Sequence, residues 1–385
     1  MRQTQALRCA SRIVSGGAAV AMMLMAITAA AEPAAAEAGS DAPPEGKIGY
    51  AVYSLWWAIY QSEDGRTDCP NGYNIGPREQ FAALFPPEGP PATVEEGQLA
   101  LEIQTWWPDT EPDGFPYRYP ALKIGTGLDL DGEIGPEDYV TPDGEEGIDN
   151  ELYRVLGCNQ GFRGPDGVEF IFENSKAVPD LQYDRLLVEL SGVDSMTNDP
   201  AVDVTLYRGL DRLMTDASGE GFTPGGTQRV DTRWGKSLIY HLTGRIEHGV
   251  LTTEPIPEMV LAWQNIGVPT TQVINDMRLQ LNVSSGYAEG FIGGYIDIDT
   301  YHRQLLRNSF THHLSNGFTS GISLYKELRK HADAHPNPET GENTAISGAI
   351  EAKFVQVHII PPSEAETVEL HENSPETQLA SQSRF

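Results

Sequence analysis

Val202-Asp203-Val204-Thr205-Leu206-Tyr207 alternates side chains with a period of two, the period that sends successive residues to opposite faces of a strand. It presents one apolar and aromatic face. Similar strand-like runs lie on either side, at residues 168–172, 185–190, 237–246, 259–263 and 277–283. Between them stand turn clusters such as Asn198-Asp199-Pro200 and residues 219–226, at spacings that suit antiparallel pairing. The pattern predicts a mainly β protein, with an antiparallel β-sandwich over residues 166–362.

After the strands, Tyr301, Leu305, Leu306, Phe310 and Leu314 recur at helical spacing, with Asp299 or Thr300 placed to cap the helix. A second helix is predicted over 323–332 and a late strand over 350–360, stopped by Pro361-Pro362. Residues 363–385 read as a disordered polar tail. Upstream, residues 47–165 are rich in Gly, Pro and Asp and predict a loop-rich region, with apolar patches at 48–60 and 99–107. Within the second patch, 99–104 alternates as a strand does. The Ala, Pro and Glu stretch at 32–46 reads as a flexible leader.

Residues 1–31 have the order of a secretory signal peptide: Arg2, Arg8 and Arg12 in front, an apolar middle, and Ala29-Ala30-Ala31 as the small-residue cleavage site. The reading predicts an exported protein, periplasmic or secreted. No second hydrophobic stretch follows, so no integral membrane segment is expected once the signal is cleaved. Loss of the three arginines takes the formal charge from −29 to −32. So acidic a chain repels phosphate backbones and anionic lipid, which argues against nucleic acid as a partner.

Cleavage would leave Cys69 and Cys158 as the mature cysteines, in a compartment that favours pairing. A Cys69–Cys158 disulfide is therefore predicted. The densest chemical feature lies between them, where residues 128–151 hold ten acids and no Lys or Arg. Asp129, Asp131, Glu133, Asp138, Asp143 and Asp149 are the candidate metal ligands of this segment, and calcium is the candidate ion, because it accepts six to eight oxygens in irregular geometry. Asp129, Asp131 and Glu133 copy the first three ligand positions of an EF-hand loop. Ile134 stands where its glycine belongs and Val140 where its bidentate glutamate belongs, so the EF-hand itself is rejected. The competing reading is a solvated acidic turn.

Other motifs fall away. Gly235-Lys236-Ser237 lacks the earlier glycine of a phosphate loop, and there is no Gly-x-Ser-x-Gly, His-Glu-x-x-His or Gly-x-Gly-x-x-Gly. His331 and His335 lie four apart at the end of the second predicted helix with Glu327 one turn earlier, a spacing that could share a metal. Pro336 favours instead a placement at the negative end of the helix dipole. The Trp56-Trp57 and Trp106-Trp107 doublets read as core filling before sugar platforms.

Three stretches, Cys69 to Phe81, Asp143 to Cys158 and Val193 to Val202, together with the Gly-Leu-Asp-Leu-Asp-Gly, Pro-Asp-Gly and Gly-Ile-Asp-Asn runs, resemble a group of uncharacterised exported bacterial proteins. That resemblance implies an exported, calcium-compatible protein and assigns no residue a role. Two function classes remain from the sequence. One is a non-catalytic binding or structural protein of the cell envelope. The other is a periplasmic or secreted hydrolase, acting on saccharide through paired carboxylates among residues 129–151 or at Asp203, Asp211 and Asp231.

Overall fold

The computed structural model describes residues 41–362 apart from 65, 75–87, 91–92, 94–116, 164–184, 220, 232–238, 266–267 and 304–320. The expected strand at 99–104, the run at 168–172 and the second tryptophan doublet fall outside the described residues.

The chain is mainly β, and its sheet closes on itself. Eight strands form the ring in chain order: β1 (Lys47–Trp57), β2 (Arg185–Ser191), β3 (Asp199–Gly209), β5 (Tyr240–Glu247), β6 (Val250–Thr253), β8 (Val268–Val283), β9 (Tyr287–Asp297) and β11 (Asn343–Ile360). Each is antiparallel to the next, and β11 returns to pair with β1 from Gly49↔Val357 to Trp57↔Ile350. Three further strands attach outside the ring: β4 (Gly226–Arg229) runs parallel to β11, while β7 (Ile256–Asn265) pairs with β8 and β10 (Ala334–Pro336) with β11.

A barrel thus replaces the expected sandwich. The alternation that suggested a sandwich is common to both architectures, since either one buries every second residue of each strand. The difference lies in β1 pairing with β11 across some three hundred residues, which no local pattern encodes. Bends that permit closure are written in glycines and bulges. At Gly290 (φ 156°) an added Cβ would lie 2.1 Å from the Gln280 carbonyl oxygen, so β8 and β9 can approach there only because the side chain is missing. A register shift between Val52 and Ser54 keeps both Val52 and Leu55 inside.

Val202, Val204 and Leu206 point into the barrel, where Tyr50, Trp57, Val188, Leu281, Ile292 and Phe354 join them in one buried cluster. An eight-stranded barrel is just wide enough for side chains to fill it. Tyr207, out of phase with the inward residues, instead joins a smaller outer cluster with Leu187, Leu213, Val230 and Val355. The face of that run is apolar, then, but its aromatic residue lies on the other side.

Helices close the end where β1 and β9 finish and β11 begins. Asn150 caps α1 (Glu151–Leu156), its side-chain oxygen accepting from the Tyr153 amide at 2.9 Å. So short a helix is marginal alone, and burial of Leu152, Tyr153, Val155 and Leu156 holds it. Asp297, rather than Asp299 or Thr300, caps α2 (Ile298–Tyr301), whose Tyr301 ring meets Trp57 edge-on at 5.5 Å. The third helix, α3 (Gly321–Lys330), buries Leu324 and Leu328. Trp56 and Trp57 are both buried, in the core-filling role. Cys69 and Cys158 form the predicted disulfide, closing a separation of 89 residues. No helix of the described residues is long and apolar enough to cross a membrane.

Candidate metal centre

A bare patch at Gly293 of β9, on the barrel wall, seats the start of the acidic segment. Leu128 and Leu130 are buried over Gly293, where an added Cβ would meet Leu128 at 2.6 Å and Leu130 at 3.3 Å. With these two leucines facing the barrel, Asp129 and Asp131 must face outward. Bridges of Leu128 with Asp149 and of Tyr139 with Ile148 then fold the far end of the segment back on its start. Asp129, Asp131 and Asp149 come together, each with a carboxylate oxygen within 4.8 Å of the others.

Main-chain amides orient all three. Asp149 Oδ2 accepts from the Leu130 amide at 2.6 Å and from the Asp131 amide at 3.3 Å. Asp129 Oδ1 accepts from the Gly132 amide at 2.7 Å, and Asp131 Oδ1 from the Glu133 amide at 2.8 Å. Each carboxylate thus spends one oxygen on the backbone and keeps its other oxygen clear of those bonds. Gly147 (φ 83°) lets the returning strand pass close to Asp129: a Cβ there would sit 3.2 Å from the Glu133 carbonyl oxygen. Burial, opposed by the Leu130 amide and reinforced by Asp131 and Asp138, pushes Asp149 up to about 6. The Tyr295 hydroxyl of β9 is pushed up to about 12 by burial and by Asp149, Asp333 and Asp131.

The other sequence candidates stand outside this group. Glu133 contributes its amide to Asp131, Asp138 accepts from the Gly135 amide, and Asp143 lies exposed in the turn closed by the Gly144 amide on Thr141. The segment is also less isolated from bases than its own composition implies. Lys123 and Arg154, just beyond its ends, both reach Glu137, at 3.3 and 2.9 Å, and Arg154 also holds Glu151 at 2.7 Å. Among the described residues no ion pair reaches Asp129, Asp131 or Asp149.

His331 and His335 do not share a site. Helix α3 ends before both: His331 Nδ1 faces Glu151 at 3.4 Å and its Nε2 faces Glu327 at 3.7 Å, while His335 sits on β10 and meets Asp276 at 3.1 Å. Glu327 further accepts from Tyr119, whose oxygen takes a bond from Lys330 at 2.6 Å. Burial opposes ionisation of Glu151, yet bonds from His331 and Arg154 hold its carboxyl below the usual range. This network clamps α3 to α1. Sequence spacing could supply only its Glu327–His331 half, because Tyr119 and Glu151 arrive from distant segments. Of the carboxylates considered for hydrolysis, Asp211 is tied to Arg229 at 2.6 Å, Asp203 is exposed on the outside of β3, and Asp231 is buried.

No family model, no curated protein and no solved structure matches the chain. The geometry of the three convergent aspartates could hold a metal ion.

Proposed function

We propose that this is an exported, non-catalytic binding or structural protein of the bacterial cell envelope, a filled β-barrel whose acidic loop is steadied by calcium. The observation that carries the reading is the convergence of Asp129, Asp131 and Asp149 with one oxygen of each fixed by a main-chain amide. Three carboxylates so close repel one another, and a cation among them turns that cost into attraction. Hard oxygen donors favour calcium or magnesium over softer metals. Calcium suits the site better, because magnesium demands near-octahedral geometry that an irregular loop does not provide. The disulfide supports an oxidising compartment.

The test is thermal unfolding of the mature protein with calcium and with chelator. If the ion binds only the folded state, calcium at a hundred times its dissociation constant adds about 2.7 kcal/mol. The melting temperature rises with calcium, and an Asp129→Ala, Asp131→Ala double variant loses that rise. Identical curves in millimolar calcium and in chelator would mean a solvated acidic turn. Mass spectrometry of protein recovered from the periplasm or medium tests export, with the first residue expected within a few positions of Glu32.

A further inference from the structure

At the mouth of the barrel away from the helices, the wall does not close completely. Pairing between β1 and β11 ends at Gly49↔Val357, and beyond it β11 runs beside β4 while β1 keeps only β2. Residues 41–46 lean over the gap. Asp41 accepts from Thr197 at 2.6 Å and Ser195 at 3.1 Å, and left-handed Glu45 (φ 57°) and Gly46 turn the chain down into β1. Between this lip and the end of β11 lies a cleft of about 660 Å³.

Ile48, Met196, Val357 and Ile359 give it an apolar lining. Gly49 contributes to that shape by absence: a Cβ there would lie 2.8 Å from the Ile359 side chain, so Ile359 can lie across β1. The polar groups around the cleft are unbalanced, with Asp41, Glu45 and Glu189 against Lys47 and the His358 imidazole. The volume is that of a small-molecule site, and barrel mouths are one of the places where such sites form. An apolar interior with an acidic surround selects a ligand that is apolar in body and positive at one end.

We propose that this cleft binds a small amphipathic cation, its body on the four apolar side chains and its amine among the carboxylates. The inference goes beyond the calcium-steadied module and shares no residue with the three aspartates, so failure of either leaves the other standing. Two fluorescent probes with the same apolar ring system test it: dansylcadaverine, which carries an amine, and dansylglycine, which carries a carboxylate. Titrations of the mature protein at about 0.15 M salt screen diffuse attraction to an acidic surface. The expected result is saturable one-to-one binding of the amine probe, about tenfold tighter than the carboxylate probe. Met196→Trp, which fills the cleft, abolishes it, and the exposed change Glu45→Gln narrows the difference between probes without altering the melting temperature. Absence of saturable binding, equal or tighter binding of the carboxylate probe, or undiminished binding in Met196→Trp overturns the proposal.

Discussion

Asp149 is under two opposed demands. It accepts two main-chain amides, which favour the carboxylate, yet burial beside Asp131 and Asp138 wins and raises it to about 6. An unfolded aspartate titrates near 3.8, so between about pH 4 and 6 the folded chain holds a proton that the unfolded chain has released. In that window its contribution to stability falls as pH rises. In the proposed site calcium would take the place of that proton, so the ion's stabilisation should grow over the same interval. Without divalent ions, the wild-type protein should therefore lose stability from pH 4 to 6 relative to Asp149→Asn, which cannot ionise. With calcium, the gain in melting temperature should be small at pH 4.5, full at pH 7.5, and much reduced at both in Asp149→Asn. A calcium gain independent of pH in the wild type would remove Asp149 from the site. The acids themselves were legible as a run of carboxylates, but which three would meet was not. Asp149 reaches Asp129 through the Leu128–Asp149 bridge, and no spacing rule in a twenty-residue loop specifies that pairing.

At the scale of elements, strands with hydrophobic alternation after residue 166 could be read, whereas β1, within the region expected to be loop-rich, and strands built on glycine could not. The run at 202–207 became part of β3, 185–190 part of β2 and 350–360 the end of β11. By contrast β9, with Gly290, Gly293 and Gly294 in its interior, carries too few side chains to show a period, though Ala288, Ile292 and Ile296 all point inward. Those glycines are also what the neighbouring elements require. Gly293 leaves the bare patch on which Leu128 and Leu130 rest, so β9 positions the acidic loop through a missing side chain. Gly293→Val should push the loop off the barrel, sharply reducing the calcium response and lowering stability by about 1–3 kcal/mol, as overpacking does. Circular dichroism should still report the β-barrel. Gly290→Val, facing a carbonyl at 2.1 Å, should prevent closure and unfold the protein. A Gly293→Val protein with wild-type calcium response would show that the loop is anchored elsewhere.

Across the whole molecule, the disulfide and the barrel hold different things. Cys69–Cys158 ties the segment before the acidic loop to the residue that follows α1 by two, and the link is buried. Beside it lies a buried ion pair: Arg163 binds Asp68 and donates to the Gly157 carbonyl at 2.7 Å, with the Tyr73 ring facing its guanidinium. Removing the disulfide frees a loop of 89 residues in the unfolded chain, which costs up to about 4.6 kcal/mol in the chain-entropy model. Removing Arg163 alone leaves the buried Asp68 without its ion-pair partner, a loss of about 3–5 kcal/mol. The two share one small region and so should not add fully. A Cys69→Ser, Cys158→Ser variant should therefore melt well below the wild type, Arg163→Met comparably so, and the combination at less than the sum of both losses. Calcium should still raise the melting temperature of the serine variant, because Leu128 and Leu130 fix the aspartates to β9 independently of the cysteines. Loss of the calcium response together with the disulfide would place the anchor of the acidic loop in α1 and its cross-link, not in the barrel wall.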